Sequence, residues 1–390
     1  MKIIEIKVDR VDECIWGNFD RQFKLRFINP INAIDPDLTF KDWFWDLAVS
    51  IVQIRTDEGH TGIGWCEDGT GAVEAIINNH LHRFVVGQDP FDYEGIWELM
   101  FRASIVYGRK GAAIEAISAI DIALWDLMGK ATGKSVAALL GGSSTESIPA
   151  YASGLHHVEP ELAAAEATDY VNQGYTAMKA RLGYGPLEGR KGMLKNVEHI
   201  ATIRKAIGPE VGLMIDAYGG WNLPYASEMC QLLEPYNLSW VEEPFLPDDL
   251  KSYARLRETT TIPVAGGEHE FTRYGFQQLI EAKAVDILQP DLHRCGGITE
   301  GRRIASLAAV HGLSICPHAF SNVHTQFIAA TSNAPMSESF PVPCWEDSDL
   351  NEQPTIILNQ ASPEGGKIPV STAPGLGIEI NTEILNKSLS

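Results

Sequence analysis

Several features that would place this chain in other classes of protein are missing from its sequence. The six cysteines are scattered and include no Cys-x-x-Cys pair, so we expect reduced, packed thiols and no disulfide framework. They are Cys14, Cys66, Cys230, Cys295, Cys316 and Cys344. No uninterrupted apolar run reaches membrane-spanning length, and residues 1–13 lack the apolar core of a signal peptide. These absences predict a cytoplasmic protein with no membrane partner.

Basic residues are also scarce. The chain has 31 Lys and Arg against 51 Asp and Glu, for a net charge of −20. A nucleic-acid partner needs a basic stripe that neutralises phosphates, and this sequence offers none, so we expect no nucleic-acid partner. The same acidity means that an anionic small-molecule substrate would need local positive charge at its binding site.

What the sequence does contain predicts more than one domain. Its 390 residues, 45% hydrophobic and 21% charged, are typical of a soluble globular protein that is too long for one small core. Strand-like runs occupy residues 1–60, around a turn at 57–59 and a long irregular segment at 16–42. Residues 112–133 repeat apolar side chains at helical spacing, and glycines close the predicted helix. We therefore predict an α+β domain over residues 1–140.

From Ser147 onward, short apolar strands alternate with helices. Eight strand candidates follow one another, which is the number that a closed (β/α)8 barrel requires. They are IPAYAS, TAMKARL, GLMIDAY, LSWVEE, IPVAGG, AVDILQP, LSICPH and PMSES. We predict a barrel domain over residues 141–350. The tail, residues 351–390, is rich in glycine and proline, and we predict that it returns to the N-terminal domain.

Three carboxylates occur in matching surroundings within this alternation. Asp216, Glu242 and Glu268 each end an apolar run, and successive members lie 26 residues apart. Successive strand ends lie side by side at one face of a barrel, where catalytic residues collect. Three converging acids repel one another unless a cation lies between them. Oxygen ligands without Cys or His favour Mg²⁺ over zinc. Equal spacing makes unrelated surface acids the weaker interpretation.

The residues at the predicted strand ends resemble those of the mandelate racemase subgroup of the enolase superfamily. AMKARLGYG resembles its Lys-x-Lys strand, with Arg181 in place of the second lysine, and LQPDLHRCGG with ICPHAF resembles its Asp–His dyad. MSESF resembles its strand-eight acid, and Asp216-x-Tyr218 departs from its Asp-x-Asn. Within the subgroup, GEHEFTRYGF and the tail most resemble the L-rhamnonate dehydratase branch. The resemblance spans nearly the whole chain and implies a modified TIM (β/α)7β-type barrel with an α+β capping domain.

The resemblance also implies how the chemistry begins. The three carboxylates would bind Mg²⁺, which stabilises the enediolate formed when a proton is removed next to a carboxylate. His318 would be the base, and Asp291 would orient it and raise its basicity through a hydrogen bond. His293 and His269 also lie at strand ends and are rivals for this role. The assignment of His318 depends on its matched partner Asp291.

Further roles follow from the same resemblance. Lys179 would place positive charge beside the substrate carboxylate, and Arg181, assigned to substrate binding, stays protonated and makes a poor general base. Glu338 would hydrogen-bond the substrate carboxylate, which requires a protonated side chain; the alternative is a carboxylate that is ion-paired with Lys179 or Arg181. His269 and Trp345 are the remaining candidates for substrate contacts.

These roles predict a magnesium-dependent sugar acid dehydratase that acts on an L-rhamnonate or L-lyxonate type of acid. His318 would take the alpha proton and return it to the departing hydroxyl on the same face, giving a 2-keto-3-deoxy acid. A racemase, epimerase or lactone cycloisomerase on the same scaffold is one alternative. A non-catalytic protein that binds metal and sugar acid is another. The family resemblance further implies a homo-oligomer, either a dimer or an octamer.

Overall fold

The computed structural model of this chain describes residues 1–11, 27–35, 37–38, 48–142, 144–341 and 355–388. Within these residues, no helix combines the length and the apolar character needed to cross a membrane. The four cysteines in these ranges are unpaired and buried, which confirms the prediction of packed thiols for them. Cys14 and Cys344 lie outside the described residues.

The N-terminal part is a three-stranded antiparallel sheet covered by helices. The strands pair in the order β1–β2–β3, and the tight turn between β2 and β3 lies at residues 57–60, with Gly59 at φ 86°. The strands are β1 (Ile3–Val11), β2 (Val49–Thr56) and β3 (Thr61–Glu67). The helices are α1 (Ala72–Asn79), α2 (Tyr93–Ser104), α3 (Ala112–Thr132) and α4 (Val136–Leu140), with a 3-10 turn at Leu81–Phe84.

Helix α3 is the predicted 112–133 helix, and it is buried on nearly every side because it lies between the sheet and the rest of the molecule. Its close approach to β3 requires glycine, since a Cβ at Gly64 would come within 2.1 Å of the Ala119 carbonyl oxygen. On its other side, Trp125 donates its indole N–H to Thr299 Oγ1 at 2.9 Å. The helix ends at Gly133, whose φ of 65° suits glycine.

The second part is a curled sheet of eight parallel strands in the order β10-β9-β8-β7-β6-β5-β4-β11. All eight predicted strands are present. They are β4 (Ser147–Gly154), β5 (Ala177–Arg181), β6 (Gly212–Asp216), β7 (Val241–Glu242), β8 (Val264–Gly266), β9 (Ile287–Leu288), β10 (Ser314–Ile315) and β11 (Ser337–Ser339). They read as apolar runs because helices cover the outer face and packed side chains fill the inner one.

A helix follows each of the first seven barrel strands, and none of the described residues after β11 forms an eighth barrel helix. These helices are α5 (Pro160–Asn172), α6 (Gly189–Ile207), α7 (Leu223–Leu233), α8 (Leu250–Thr259), α9 (Thr272–Glu281), α10 (Gly297–Val310) and α11 (Asn322–Ile328), with 3-10 turns at Pro186–Glu188 and Glu234–Tyr236. The architecture is therefore a (β/α)7β barrel with an α+β cap, which confirms the predicted fold class.

The tail contacts both parts of the molecule. Its elements are β12 (Ile357–Leu358), β13 (Lys367–Pro369), β14 (Glu379–Ile380) and α12 (Thr382–Ser388). Strand β13 pairs antiparallel with β4 of the barrel, and β12 pairs with β14. Between these strands the chain reaches the cap, where the Gly375 carbonyl accepts the Val136 N–H at 2.9 Å.

Asp126 on α3 ties the cap sheet and the tail together, so its removal should destabilise the fold. Its carboxylate accepts N–H groups of Ile63 and Leu376, each at 2.8 Å, and pairs with Lys130 at 2.6 Å. Asp126→Ala leaves these buried donors without an acceptor, so we expect a loss of about 3 kcal/mol in the free energy of unfolding. Urea denaturation measures the loss.

The exposed variant Glu198→Ala on α6 is the control for this experiment, with an expected change within about 0.5 kcal/mol. Asp126→Asn keeps one acceptor oxygen and should lie between the two. Equal urea midpoints for Asp126→Ala and Glu198→Ala would show that the carboxylate is not a structural tie.

Candidate active site

The three equally spaced carboxylates meet at the C-terminal mouth of the barrel. Asp216 and Glu242 are the last residues of β6 and β7 and pair in register, and Glu268 follows the end of β8 by two residues. One oxygen of each lies within 4.8 Å of the others, and all three side chains are buried. Equal spacing along the chain thus became adjacency in space because each strand–helix unit returns the chain to the same face.

Two cations from β5 reach into this cluster. The Lys179 ammonium pairs with Glu242, and it lies 2.9 Å from Glu338 Oε1 and 3.6 Å from Asp216 Oδ2. Arg181 pairs with Asp216 and lies over the ring of Tyr218, 5.7 Å from its centroid. The predicted residues Lys179, Arg181 and Glu338 are therefore brought together with the three carboxylates.

Burial and neighbouring charges together set the pKa values of Glu242 and Glu338. Burial and the neighbouring carboxylates raise the pKa of Glu242 to about 8, although Lys179 opposes them. Burial also opposes ionisation of Glu338, but Lys179 and His318 outweigh it and lower the pKa of Glu338 to about 2. Glu338 is thus an ionised partner of Lys179. Of the two alternatives for Glu338, the structure without bound substrate favours the carboxylate that is ion-paired with Lys179, and its contact with a substrate carboxylate stays a prediction.

The cluster fits a hard divalent cation. Four carboxyl groups, counting Glu338, share this buried space with the two cations of β5, and their mutual repulsion is one cause of the raised pKa of Glu242. Among the described residues, buried Glu268 Oε2 has no hydrogen-bond partner, an arrangement that costs free energy unless a further positive group is present. Carboxylate oxygens are the donors that Mg²⁺ prefers. A bound divalent cation would therefore stabilise these clustered carboxyl groups.

His318 and Asp291 form the predicted dyad across the ends of β10 and β9. His318 Nδ1 donates to Asp291 Oδ2 at 3.0 Å, which leaves Nε2 facing the carboxylate cluster, 3.6 Å from Glu268 Oε1. Burial disfavours the imidazolium, but Glu268 and Asp291 outweigh it and raise the pKa of His318 to about 9. The geometry suits a proton acceptor that is aimed at the same point as the three carboxylates.

The two rival histidines have other partners. His269 Nδ1 lies 2.7 Å from Glu243 Oε2, so this ring is held at the edge of the cluster. His293 Nδ1 bonds the backbone oxygen of Trp65 in the cap at 2.9 Å. Burial lowers the pKa of His293 to about 4, so it stays neutral in its polar contacts. Sequence reasoning missed Glu243, although the Glu-Glu pair at the end of β7 was a visible signal.

A cavity of about 220 Å³ opens beside His269 and extends toward the cap. Its polar lining comes from both parts of the molecule and includes Glu67, Glu115 and Arg294. Arg294 joins the two parts, since its guanidinium lies 2.9 Å from Glu67 Oε2 and 3.5 Å from Asp291 Oδ2. Burial raises the pKa of Glu115 to about 7. Sequence reasoning missed Glu115 and Arg294.

Other sequence candidates lie elsewhere. Trp345, Arg26 and most of the 16–42 segment are outside the described residues. In the run 107–110, Lys110 pairs with Glu270 at 2.8 Å and the Tyr107 hydroxyl lies 2.8 Å from His80 Nδ1. These two side chains therefore have structural partners away from the three carboxylates.

The family of the chain follows from comparison with known proteins. The profile described as "Enolase C-terminal domain-like" matches residues 162–384, and the profile "Mandelate racemase / muconate lactonizing enzyme, N-terminal domain" matches residues 45–141. The chain belongs to the mandelate racemase/muconate lactonizing enzyme family of the enolase superfamily. This confirms the family that the strand-end motifs predicted.

Members of this family with different reactions resemble the chain about equally. An L-rhamnonate dehydratase of Saccharopolyspora erythraea is 36% identical over 87% of this chain and 84% of its own length. A D-galactarolactone cycloisomerase of Agrobacterium fabrum is 36% identical over 86% of this chain and 90% of its own length. The structure of rhamnonate dehydratase from Gibberella zeae, complexed with Mg, covers 99% of this chain and 95% of its own, at 29% identity and a TM-score of 0.88.

The pKa values of His318 and His293 should be shifted in opposite directions in the metal-free protein. We expect His318 to titrate near pH 9 and His293 near pH 4 in NMR spectra of ¹⁵N-histidine-labelled protein. Both values depart from about 6.5 in the unfolded chain. The stabilisation by charged His318 is thus complete below pH 6.5 and lost as the pH rises through 9.

Glu268→Gln removes the carboxylate nearest His318 Nε2 and should lower the pKa of His318 while leaving that of His293 unchanged. A His318 that titrates at or below pH 6.5 in the metal-free wild type would contradict the electrostatic account of the site.

Proposed function

We propose that this protein is a magnesium-dependent dehydratase of a sugar acid. The observation that carries the proposal is a one-sided site: the His318–Asp291 dyad faces the carboxylate cluster, and the opposite strand supplies Arg181 where a second base would stand. The guanidinium stays protonated at working pH and does not remove a proton. One base on one face favours elimination over racemisation.

Asp216, Glu242 and Glu268 would hold the metal, and the magnesium reported in the Gibberella zeae structure supports that choice of ion. When bound, Mg²⁺ would stabilise the negative charge that develops on the substrate carboxylate and would offset the carboxylates that raise the pKa of His318. Lys179 and Arg181 supply the local positive charge that an anionic substrate requires in a protein of net charge −20.

The proposed reaction uses one proton twice. His318 Nε2 removes the proton from the carbon next to the substrate carboxylate, and Asp291 holds the imidazolium that results. The hydroxyl on the next carbon then leaves as water with the proton that His318 returns to it. The carbon–carbon double bond formed is an enol, which tautomerises to a 2-keto-3-deoxy acid. Because one group performs both transfers, the elimination is syn.

The cavity beside His269 supports a substrate with a hydroxylated tail. Its volume of about 220 Å³ suits a small molecule, and Glu67, Glu115, His269 and Arg294 offer both hydrogen-bond donors and acceptors. Five- and six-carbon acids such as L-lyxonate and L-rhamnonate fit this description, and the S. erythraea relative supports the second. Cytoplasmic location and homo-oligomeric state stay predictions.

A lactone cycloisomerase is the second candidate, and one observation favours it. The A. fabrum relative with that name is as similar to this chain, at 36% identity, as the S. erythraea dehydratase. Both reactions begin with removal of an alpha proton, so the dyad and the carboxylates serve either one. What differs is the group that leaves.

Turnover of a sugar-acid panel with Mg²⁺ tests the proposed reaction. We expect 2-keto-3-deoxy products, detected as semicarbazones, from L-rhamnonate or L-lyxonate. His318→Asn removes the only proposed base and should lower kcat by at least about 10³-fold. The control His269→Asn keeps the dyad and should change kcat far less.

Three other outcomes would contradict dehydration. Exchange of the alpha proton with solvent deuterium and no loss of water would indicate racemisation or epimerisation. Turnover of lactones alone would indicate a cycloisomerase. Ligand-induced thermal stabilisation with no turnover and no exchange would indicate a protein that only binds.

Metal binding can be tested without turnover. Mg²⁺ at 100 times its Kd should stabilise the wild type by about 2.7 kcal/mol, and Glu268→Gln should lose most of this gain. Glu270→Gln is a matched control, since Glu270 is equally buried but pairs with Lys110 outside the cluster. Thermal unfolding with and without Mg²⁺ measures both. An unchanged response in Glu268→Gln would exclude Glu268 as a ligand.

A further inference from the structure

Behind the dyad, three buried side chains form a continuous line of hydrogen bonds. His293 Nε2 lies 3.1 Å from Ser321 Oγ, and Ser321 Oγ lies 2.9 Å from His324 Nδ1. One end of the line is the Trp65 carbonyl oxygen on β3 of the cap, 2.9 Å from His293 Nδ1. The other end is the backbone N–H of Leu292, which donates to His324 Nε2 at 3.4 Å. We call His293, Ser321 and His324 the histidine–serine chain.

The carbonyl at the cap end sets the direction of every proton in the histidine–serine chain. A carbonyl only accepts, so His293 carries its proton on Nδ1 and its Nε2 accepts from the Ser321 hydroxyl. Ser321 Oγ therefore accepts the Nδ1–H of His324, and His324 Nε2 is left with a lone pair for the Leu292 N–H. In this arrangement every donor in the histidine–serine chain meets an acceptor.

The histidine–serine chain is connected to both residues of the dyad, Asp291 and His318. Leu292 and His293 directly follow Asp291, and the His293 backbone N–H donates to Asp291 Oδ1 at 2.8 Å. His324 Nε2 lies 3.6 Å from the same oxygen and also accepts the N–H of Leu292, the residue that follows Asp291. Ser321 follows His318 by three residues. The same few bonds thus connect both strand ends that carry the dyad.

We propose that His293, Ser321 and His324 are positioning residues: they register the cap strand β3 against the loop after β9 and so hold Asp291, and through it His318, in the orientation for proton transfer. None of the three touches the three carboxylates or, in the proposed reaction, the substrate. The kinetic part of the test rests on the proposed function, but the spectroscopic part does not.

A purely structural role is the competing explanation, since buried polar groups are normally hydrogen-bonded. A structural role and a positioning role predict different effects when a hydrogen bond of the histidine–serine chain is removed. Loss of stability alone follows from a structural role. A positioning role also lowers kcat at nearly constant KM, because a small misplacement of a catalytic group slows the chemical step while substrate binding is retained.

Two variants, Ser321→Ala and His293→Asn, each remove hydrogen bonds from the histidine–serine chain in a different way. Ser321→Ala removes the central hydroxyl, but this hydroxyl also accepts the Val323 N–H at the start of α11. His293→Asn keeps an amide donor in reach of the Trp65 carbonyl and keeps the backbone bond to Asp291, while it loses the bond to Ser321. Ser118→Ala is the matched control: Ser118 is equally buried and bonds the Gly296 N–H across the cap–barrel contact, but it is not in the chain.

In the Mg²⁺-loaded protein we expect both cuts to lower kcat by roughly 10- to 100-fold, with KM and Mg²⁺-induced stabilisation changed less than about threefold. Ser118→Ala should keep kcat within about twofold. A kcat near that of the control in both cut variants would overturn the proposal. So would losses confined to KM or to Mg²⁺ binding.

NMR of ¹⁵N-histidine-labelled, metal-free protein gives a readout that does not depend on turnover. We expect His293 and His324 as Nδ1–H tautomers, and a shift of the His318 Nδ1–H resonance in both cut variants but not in Ser118→Ala. A His324 protonated on Nε2, or an unmoved His318 resonance, would overturn the proposal. If no sugar acid is turned over but these signals behave as expected, the proposed function fails and the positioning chain stands.

Discussion

The burial of four carboxyl groups together at the barrel mouth is the constraint on which the rest of this site depends. Asp216, Glu242, Glu268 and Glu338 share a buried space, where Lys179 and Arg181 pair with three of them and His318 Nε2 lies 3.6 Å from Glu268. Like charges in a low dielectric are costly unless they are paired. The neighbouring carboxylates raise the pKa of His318, and one oxygen of Glu268 has no hydrogen-bond partner among the described residues. A site of this kind is tuned for an additional cation.

The barrel alone does not complete the site. Strand β3 of the cap delivers Glu67 to Arg294 and the Trp65 carbonyl to His293, both in the loop that carries Asp291. The docking of the cap is in turn held by helix α3, whose Trp125 and Asp121 bond the first turn of α10. Catalytic geometry at the mouth therefore depends on packing between the two parts of the molecule as well as on the strands beneath it.

The family scaffold supports several reactions because the early chemistry is shared. Carboxylates that hold a cation and a base that removes an alpha proton are common to elimination, epimerisation and ring opening. In this chain Arg181, which stays protonated and makes a poor base, lies over the ring of Tyr218 on one face of the site.

The sequence by itself determined the architecture and the metal-type cluster. The alternation of apolar strands and helices, with eight strands in succession, predicted a barrel. The equal spacing of Asp216, Glu242 and Glu268 brings them to one mouth, because parallel strands share a direction. The dyad was also visible, from its resemblance to a known family. Only the tertiary structure decided that Glu338 is ionised against Lys179, and that Arg294 and His293 reach the cap. Those contacts join side chains from distant parts of the chain, and their pairing depends on rotamers, burial and the docking of two domains, none of which local sequence spacing encodes.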